Sequence, residues 1–204
     1  MKKIYIIITL FILAACNDDL DIAPRQSLDQ SVALLNDANV RTALRGAYDG
    51  ISGYSAALGS YGFLWGGDIF LYSELLAADG EISWVGTYNQ PREIFGKRIL
   101  TNNSFVRSNW TGGYYTINIC NNILRSIDKV NEEDRDMIKG EALFLRGSVY
   151  FELVRFFGKP YSAGNTTSNL AVPIVLEPTD VITDENFPGR NTVEEVYQQV
   201  IADL

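Results

Sequence analysis

The chain has 204 residues, 47% of them hydrophobic, 12% aromatic and 21% charged, a composition that supports one folded domain and excludes a disordered or collagen-like protein. Its net charge of −8 disfavours nucleic acid as a partner, because nucleic acid presents a negatively charged backbone. Histidine is absent, which excludes Ser-His-Asp and Cys-His catalysis and the commonest metal ligand, so we expect a protein that is not an enzyme and holds no metal or cofactor.

The first fifteen residues predict a signal peptide. Lys2 and Lys3 give a positive start, a ten-residue apolar run broken only by Thr9 follows, and Leu-Ala-Ala directly precedes Cys16. The apolar stretch ends at residue 15 and is shorter than the ~20 residues that a membrane-spanning helix needs. Small residues before a cysteine are typical of a bacterial lipobox, so we expect removal of residues 1–15 and acylation of Cys16 with fatty acids such as palmitate. The alternative is an ordinary signal peptide whose cysteine is incidental.

Residues 16–35 predict an acidic tether between this anchor and a folded domain. The segment contains Pro24 and has few apolar residues. Its acidic residues are Asp18, Asp19, Asp21 and Asp29. The same segment could equally pack along the domain surface as an N-terminal arm.

Residues 36–204 predict a helical domain, because their apolar residues recur at helical spacing. The first helix begins at Asn36 or Asp37, either of which can cap it, and ends at Gly50 and Gly53. A second apolar stretch, residues 69–78, follows a glycine-rich aromatic link, and its type stays open. The next helix has Trp110, Tyr114, Ile117, Asn121, Leu124 and Ile127 on its apolar stripe. We expect Trp110 to pack in the core and the free Cys120 to be a small buried hydrophobe.

The fourth helix is marked at both ends. Asn131 is a good N-cap, acidic residues follow it in the first turn, and Gly158 and Pro160 end the helix. Its continuous apolar stripe consists of Ile138, Ala142, Leu145, Val149, Leu153 and Phe156. Further phenylalanines widen the apolar surface, so we expect this helix to lie between two neighbours in an all-α array. Arg146 lies among packing residues and is expected to pair with a carboxylate or a helix-end carbonyl.

The C-terminal part predicts a loop and one more helix. The segment from Lys159 to Arg190 is rich in Pro, Asn, Thr and Gly and predicts an ordered loop. The last helix starts at Thr192, whose hydroxyl forms a capping box with Glu195. Its apolar stripe continues to the final residue, from which we expect a chain that is truncated within its domain.

Four blocks of sequence form a recognisable pattern. They are Cys16; Glu74-Leu75 with Asp79-Gly80-Glu81; Trp110, Tyr114, Ile119, Asn121 and Asn122; and Gly140-Glu141-Ala142-Leu143-Phe144-Leu145-Arg146, which continues to Pro160-Tyr161. With these blocks the chain resembles the SusD/RagB family of outer-membrane nutrient-uptake lipoproteins over nearly all of residues 16–204. Gly147 departs from the family pattern, because alanine is usual at that position.

The resemblance implies an all-α fold of tetratricopeptide-like helix pairs with long loops, held by lipid at the outer-membrane surface. It also implies a protein that binds and does not cleave, and that hands an oligosaccharide, or in some branches a peptide, to a SusC-type TonB-dependent transporter. Family members continue with a second region that contributes part of the ligand site. The alternative function is a helical-repeat scaffold that holds protein or peptide partners and binds no sugar.

The segment from Asp79 to Arg92 is the predicted ligand site and is expected to be a loop. A neutral glycan needs flat aromatic faces for its C–H surfaces, and amides and charged groups for its hydroxyls. Trp84 is the first choice as stacking platform, supported by Tyr88, Asn89 and Arg92, with Asp79 as a hydroxyl acceptor. The resemblance places an aromatic ligand residue here in some members. Because ring-rich loops often only cover a core, Trp84 could equally be structural.

Overall fold

The computed structural model is all-α, as predicted, over the residues that it describes, 33–52, 64–77, 82–180 and 187–204. These ranges contain six α-helices and no β-strand. The helices are α1, Asp37–Ser52; α2, Ile69–Ala77; α3, Asn89–Phe95; α4, Ser104–Arg125; α5, Glu132–Phe157; and α6, Val193–Asp203. No helix in these ranges has the length and apolar character needed to cross a membrane. The signal peptide, Cys16, nearly all of the 16–35 tether, Gly53 and Asp79 lie outside the described residues, and the expectations for them stay predictions.

Helix α1 is capped by Asn36, whose Oδ1 accepts a hydrogen bond from the N–H of Asn39 at 3.0 Å. The prediction that Gly50 ends this helix is wrong, because α1 continues to Ser52. Gly50 is buried, and a Cβ atom there would lie 3.0 Å from the Oγ1 of Thr116 on α4. The missing side chain therefore allows α1 and α4 to pack closely.

The region between α1 and α4 differs most from the sequence-based expectation. The apolar stretch that begins at Ile69 is helical and forms α2. Helix α3 occupies positions where the sequence predicted the end of a loop, so that prediction is wrong for residues 89–92. With only seven residues, α3 is too short to show a repeating apolar face. Pro91 is tolerated because it lies in the first turn of the helix.

Helix α5 is central, as its broad apolar surface predicts, and packs against both α4 and α6. Its buried apolar residues include Ile138, Ala142, Leu145, Val149 and Leu153. Trp110 on α4 is half-buried and packs against this core, and Cys120 is fully buried, as predicted. Burial raises the pKa of the Cys120 thiol to about 12, so the thiol stays protonated and behaves as an apolar group.

The N-terminal ends of α1 and α5 are joined by charged groups. Asn131 is the N-cap residue of α5, as predicted, but its side chain makes no capping bond. Its backbone N–H donates instead to the Oδ1 of Asp37 at 3.3 Å. Arg41 contacts Asp37 at 2.8 Å and Asp134 at 2.6 Å. The hydrogen bond from Arg41 holds the pKa of Asp37 below its usual range.

The guanidinium of Arg146 and the carboxylate of Asp203 form a buried ion pair between α5 and α6. Nε donates to Oδ2 at 2.8 Å and Nη2 to Oδ1 at 2.6 Å, which is a bidentate arrangement. Nη1 donates to the Oδ1 of Asn121 on α4 at 2.9 Å. Asp203 is therefore the carboxylate partner that the sequence predicted for Arg146 without identifying it.

Gly147 allows α6 to approach this ion pair. A Cβ atom at Gly147 would lie 3.0 Å from the Cβ of Asp203 and 3.3 Å from the Cγ of Leu204. An alanine there would crowd the end of α6 that supplies the carboxylate. Glycine at this position thus has a local packing reason.

The connection from α5 to α6 is non-helical in its described residues, as predicted, and one part of it is fixed along α4 and α5. The Tyr114 hydroxyl donates to the carbonyl of Pro173 at 2.6 Å. The Tyr150 hydroxyl donates to the carbonyl of Val175 at 2.9 Å and accepts from its N–H at 2.7 Å. Asn121 also donates to this carbonyl, at 3.0 Å. Side chains of two helices thus satisfy backbone groups that lack a β-sheet partner.

At the end of the connection, Thr192 and Glu195 form the predicted capping box of α6.

Replacing Asp203 by alanine leaves the Arg146 guanidinium buried without a carboxylate. Breaking a buried pair in this way costs about 3–5 kcal/mol, so we expect Asp203→Ala to lower the free energy of unfolding by that amount in urea denaturation. Asp180→Ala is the control, because it breaks the exposed pair between Arg125 and Asp180 and should cost less than about 1 kcal/mol. Equal losses for the two variants would contradict the central role of the buried pair.

Candidate functional site

Four of the five predicted ligand residues lie together on one surface, which we call the 84–92 cluster. It consists of Trp84 and Tyr88, which precede α3, and of Asn89 and Arg92 on α3 itself. The fifth, Asp79, lies outside the described part of the chain. The cluster borders the small core formed by Tyr72, Leu75 and Ile94.

The Trp84 ring is fixed in position. It is half-buried and packs against the small core, and its Nε1 donates to the carbonyl of Tyr88 at 3.0 Å. A Cβ atom at Gly86 would lie only 2.5 Å from the ring, so glycine is needed for the ring to lie over the backbone at this point. Trp84 therefore has a structural role, and part of its surface also remains exposed to solvent.

Tyr88 offers the more exposed ring of the cluster. It is the N-cap residue of α3, although its side chain makes no capping bond. Its side chain is 65% exposed, and its ring contacts that of Phe105 on α4 with 6.4 Å between the centroids. A partner could thus stack on the Tyr88 ring without any rearrangement of the helices.

Arg92 connects the cluster internally. Its Nη2 donates to the carbonyl of Gly86 at 3.1 Å, and its Nη1 donates to the Oδ1 of Asn89 at 3.2 Å. These bonds orient the Asn89 amide and fix the turn that carries Trp84. Both Arg92 and Asn89 are exposed, so their remaining donors can reach a ligand.

Asn103 fixes the position of α3 against α4. Its Oδ1 accepts from the N–H groups of Phe105 at 3.1 Å and Val106 at 3.2 Å, which caps α4. Its Nδ2 donates to the carbonyl of Gln90 at 3.1 Å and to the Oε2 of Glu93 at 2.7 Å. The side chain is 3% exposed, and all four of its hydrogen-bonding positions are used. This residue was not predicted from the sequence, although asparagine directly before a helix is itself a capping signal.

A groove of about 590 Å³ lies between α4 and residues 173–179. Trp110 and Tyr114 line it, and their ring centroids lie 5.0 Å apart. The Trp110 ring also packs edge-on against Phe157 at 5.0 Å, so it serves both the core and the groove wall. Among the residues that the structure describes, Trp84, Tyr88, Asn89 and Arg92 do not line this groove.

The chain is similar in sequence to a known protein family. A family model described as "Starch-binding associating with outer membrane" matches residues 71–204. A curated relative, SusD-like protein P38 of Formosa agariphila, is 21% identical over 199 residues, which cover 98% of this chain and 35% of the relative.

Solved structures share the fold. A SusD superfamily protein from Bacteroides fragilis has a TM-score of 0.70 and 22% identity over 84% of this chain and 38% of that one. Surface glycan-binding protein A from Bacteroides uniformis has a TM-score of 0.59 and 27% identity over 81% of this chain and 33% of that one. The predicted helical architecture is confirmed, and the chain spans about a third of the length of these relatives.

The four bonds of Asn103 predict a specific effect of Asn103→Asp. The carboxylate would still cap α4, but it would face the Glu93 carboxylate across the present 2.7 Å contact and release α3. Losing these two donor bonds in a buried position costs roughly 1–3 kcal/mol. We therefore expect hydrogen exchange of residues 89–95 to be about tenfold faster, or more, as measured by mass spectrometry.

A second substitution separates this effect from a general loss of stability. Adding Glu93→Gln to Asn103→Asp restores a donor opposite the new carboxylate and should slow the exchange again. Asn131→Asp is the matched control, because Asn131 is an N-cap residue whose side chain makes no capping bond. Unchanged exchange of α3 in Asn103→Asp would show that these bonds do not hold the helix.

Proposed function

The chain belongs to the SusD-like family of starch-binding proteins that associate with the outer membrane, and we propose that it binds an oligosaccharide through the 84–92 cluster and delivers it to a TonB-dependent transporter. The resemblance to SusD/RagB proteins in the sequence is thereby confirmed as family membership. The ligand, the delivery step and the transporter are proposals, since the chain covers about a third of the relatives it matches. We expect no hydrolysis of the bound sugar.

The observation that carries this proposal is the chemistry of the 84–92 cluster. Two rings, an amide and a guanidinium lie on one surface; the guanidinium donates to the amide, and Trp84 and Arg92 also donate to backbone carbonyls of the segment between them. Sugar rings present C–H faces that pack on aromatic rings, and their hydroxyls exchange hydrogen bonds with amides and charged groups. Trp84 and Tyr88 would supply the stacking, and Asn89 and Arg92 the polar contacts. Asp79 stays in the proposal as a hydroxyl acceptor on sequence grounds.

The rigidity of the cluster supports the proposal. The bonds of Trp84, Arg92 and Asn103 hold the backbone on both sides of the Tyr88 ring. A ligand would therefore not have to order a flexible loop when it binds, which removes one of the main entropic costs of association.

The anchor is the second part of the proposal. Residues 1–15 would be removed, Cys16 would be acylated, and residues 16–35 would connect the membrane to the helical domain of residues 36–204. The association of the family with the outer membrane supports this arrangement. In cells fed labelled palmitate, the wild-type chain should carry the label and Cys16→Ser should not. Label that persists in Cys16→Ser would exclude this cysteine as the anchor.

Calorimetry of the purified protein against a panel of neutral oligosaccharides tests the ligand site. Trp84→Ala should weaken the affinity about fivefold or more, because tryptophan is enriched among the contact residues whose truncation costs more than about 1 kcal/mol. Trp65→Ala is the matched control, since Trp65 is 37% exposed, lies before α2 and contacts Phe144. Equal affinities of wild type and Trp84→Ala would remove Trp84 from the site, and the absence of binding to any member of the panel would favour the scaffold function.

A further inference from the structure

Three aromatic rings that contact one another form a partly exposed surface, which we call the aromatic ridge. Its residues are distant in sequence from the 84–92 cluster. Phe151 lies on α5, Tyr197 on α6, and Tyr161 in the connection between them. The Tyr161 and Tyr197 centroids are 5.0 Å apart and those of Phe151 and Tyr197 are 6.1 Å apart, both edge to face. Tyr161 is 49% exposed and Phe151 is 37% exposed, so the two outer rings are open to solvent.

The Tyr161 end of the ridge is held by a carboxylate. The Tyr161 hydroxyl donates to the Oε2 of Glu194 at 2.7 Å, and the Thr166 hydroxyl donates to the same oxygen at 3.0 Å. The Nε2 of Gln198 donates to Oε1 at 3.0 Å. The hydrogen bond from Tyr161 contributes most to holding the pKa of Glu194 below its ordinary value, so this carboxylate is ionised at neutral pH.

The Phe151 end is held by a cation. The Cζ of Arg155 lies 5.3 Å from the centre of the Phe151 ring, within the range of a cation–π contact. The same guanidinium donates to the Oε2 of Glu152 at 2.8 Å. The positive charge at this end is therefore already paired, and both outer rings are fixed by polar contacts.

The size of the ridge decides between a protein partner and a small ligand. A fully buried aromatic side chain covers about 150–250 Å², so three partly exposed rings offer on the order of 200 Å². A stable protein interface takes about 800 Å² from each partner. The ridge alone is thus too small for a second copy of the chain or another protein, and its size fits one or two sugar rings.

The polar groups around the rings favour a neutral, hydroxyl-rich ligand. The rim consists of a carboxylate, an amide and hydroxyls, and its one guanidinium is paired with Glu152. A phosphate or carboxylate ligand would find no unpaired positive charge among these rim groups and would be repelled by Glu194. Hydroxyls, in contrast, can donate to Glu194 and accept from Gln198 while C–H faces stack on the rings.

We propose that the aromatic ridge is a second saccharide-binding surface, on which a neutral sugar stacks against Tyr161 and Phe151 and donates a hydroxyl to Glu194. This surface rests on the proposed function for the class of its ligand, but it shares no residue with the 84–92 cluster.

Native gel electrophoresis with soluble polysaccharide in the gel tests this surface on the intact chain. The probes are soluble starch, dextran, xyloglucan and galactomannan, which are all neutral. With the polysaccharide that retards the wild type most, Tyr161→Ala should raise the apparent dissociation constant about three- to tenfold, as expected for the loss of one stacking contact. Tyr161→Phe keeps the ring and should stay closer to wild type. Tyr115→Ala is the control, because Tyr115 is a 39% exposed tyrosine on α4 that is not part of the ridge.

The outcomes separate this inference from the proposed function when Trp84→Ala is run in the same gels. Weaker retardation of both variants, and weaker still in the double variant, supports two surfaces. Weaker retardation only in Trp84→Ala overturns the ridge and leaves the proposed function standing. Weaker retardation only in Tyr161→Ala supports the ridge and overturns the 84–92 cluster as a binding site. If Tyr161→Ala does not fold, Phe151→Ala replaces it. The absence of retardation by any of the four polysaccharides overturns both sites.

Static light scattering tests whether a second copy of the chain, instead of a sugar, covers the ridge. If the wild-type mass rises with concentration and the Tyr161→Ala mass does not, the ridge contacts a second copy of the chain, and the saccharide proposal is wrong.

Discussion

The buried ion pair between Arg146 and Asp203 is the interaction on which the helical array depends. It joins α5 to α6 directly, and through Asn121 it joins both to α4. Charges in an apolar interior are tolerated only when they are paired and hydrogen-bonded, because desolvation otherwise exceeds their attraction. A bidentate contact between two helices also restricts how they align along their axes. Gly147 completes the arrangement, since any side chain there would press on Asp203.

Asn121 links the Arg146 guanidinium to the connection between α5 and α6. The oxygen of this amide accepts from Arg146, while its nitrogen donates to the carbonyl of Val175. Tyr150 holds both backbone groups of the same residue. The connection between α5 and α6 is thus fixed by groups inside the bundle, and it forms one wall of the 590 Å³ groove along α4.

Both proposed binding surfaces lie on this rigid frame. Asn103, the N-cap residue of α4, bonds to α3, which carries part of the 84–92 cluster. Asn121, near the other end of α4, accepts a hydrogen bond from Arg146 of the ion pair. The aromatic ridge lies on α5 and α6, the two helices that the ion pair joins. Rings held on such elements keep their positions when a ligand arrives, which favours recognition of a weakly bound, neutral molecule.

The sequence by itself determined the helices whose signals are local. Periodic apolar residues predicted α1, α4, α5 and α6, and the capping chemistry of Asn36 and of Thr192 with Glu195 predicted where two of them begin. The same sequence, through its SusD/RagB-like blocks, indicated the family. These features depend on neighbouring residues along the chain, so no knowledge of the packing was needed.

Only the tertiary structure decided which distant residues meet. The sequence predicted a partner for Arg146, but no local rule selects Asp203, which lies 57 residues away. Helix α3 was missed because seven residues are too few for a pattern, and its position is set by Asn103, which lies on another element. Gly50 resembles a helix end in the sequence, but it is a packing contact with α4. In each case the free energy comes from burial and hydrogen bonding between separate elements, which the order of residues does not specify.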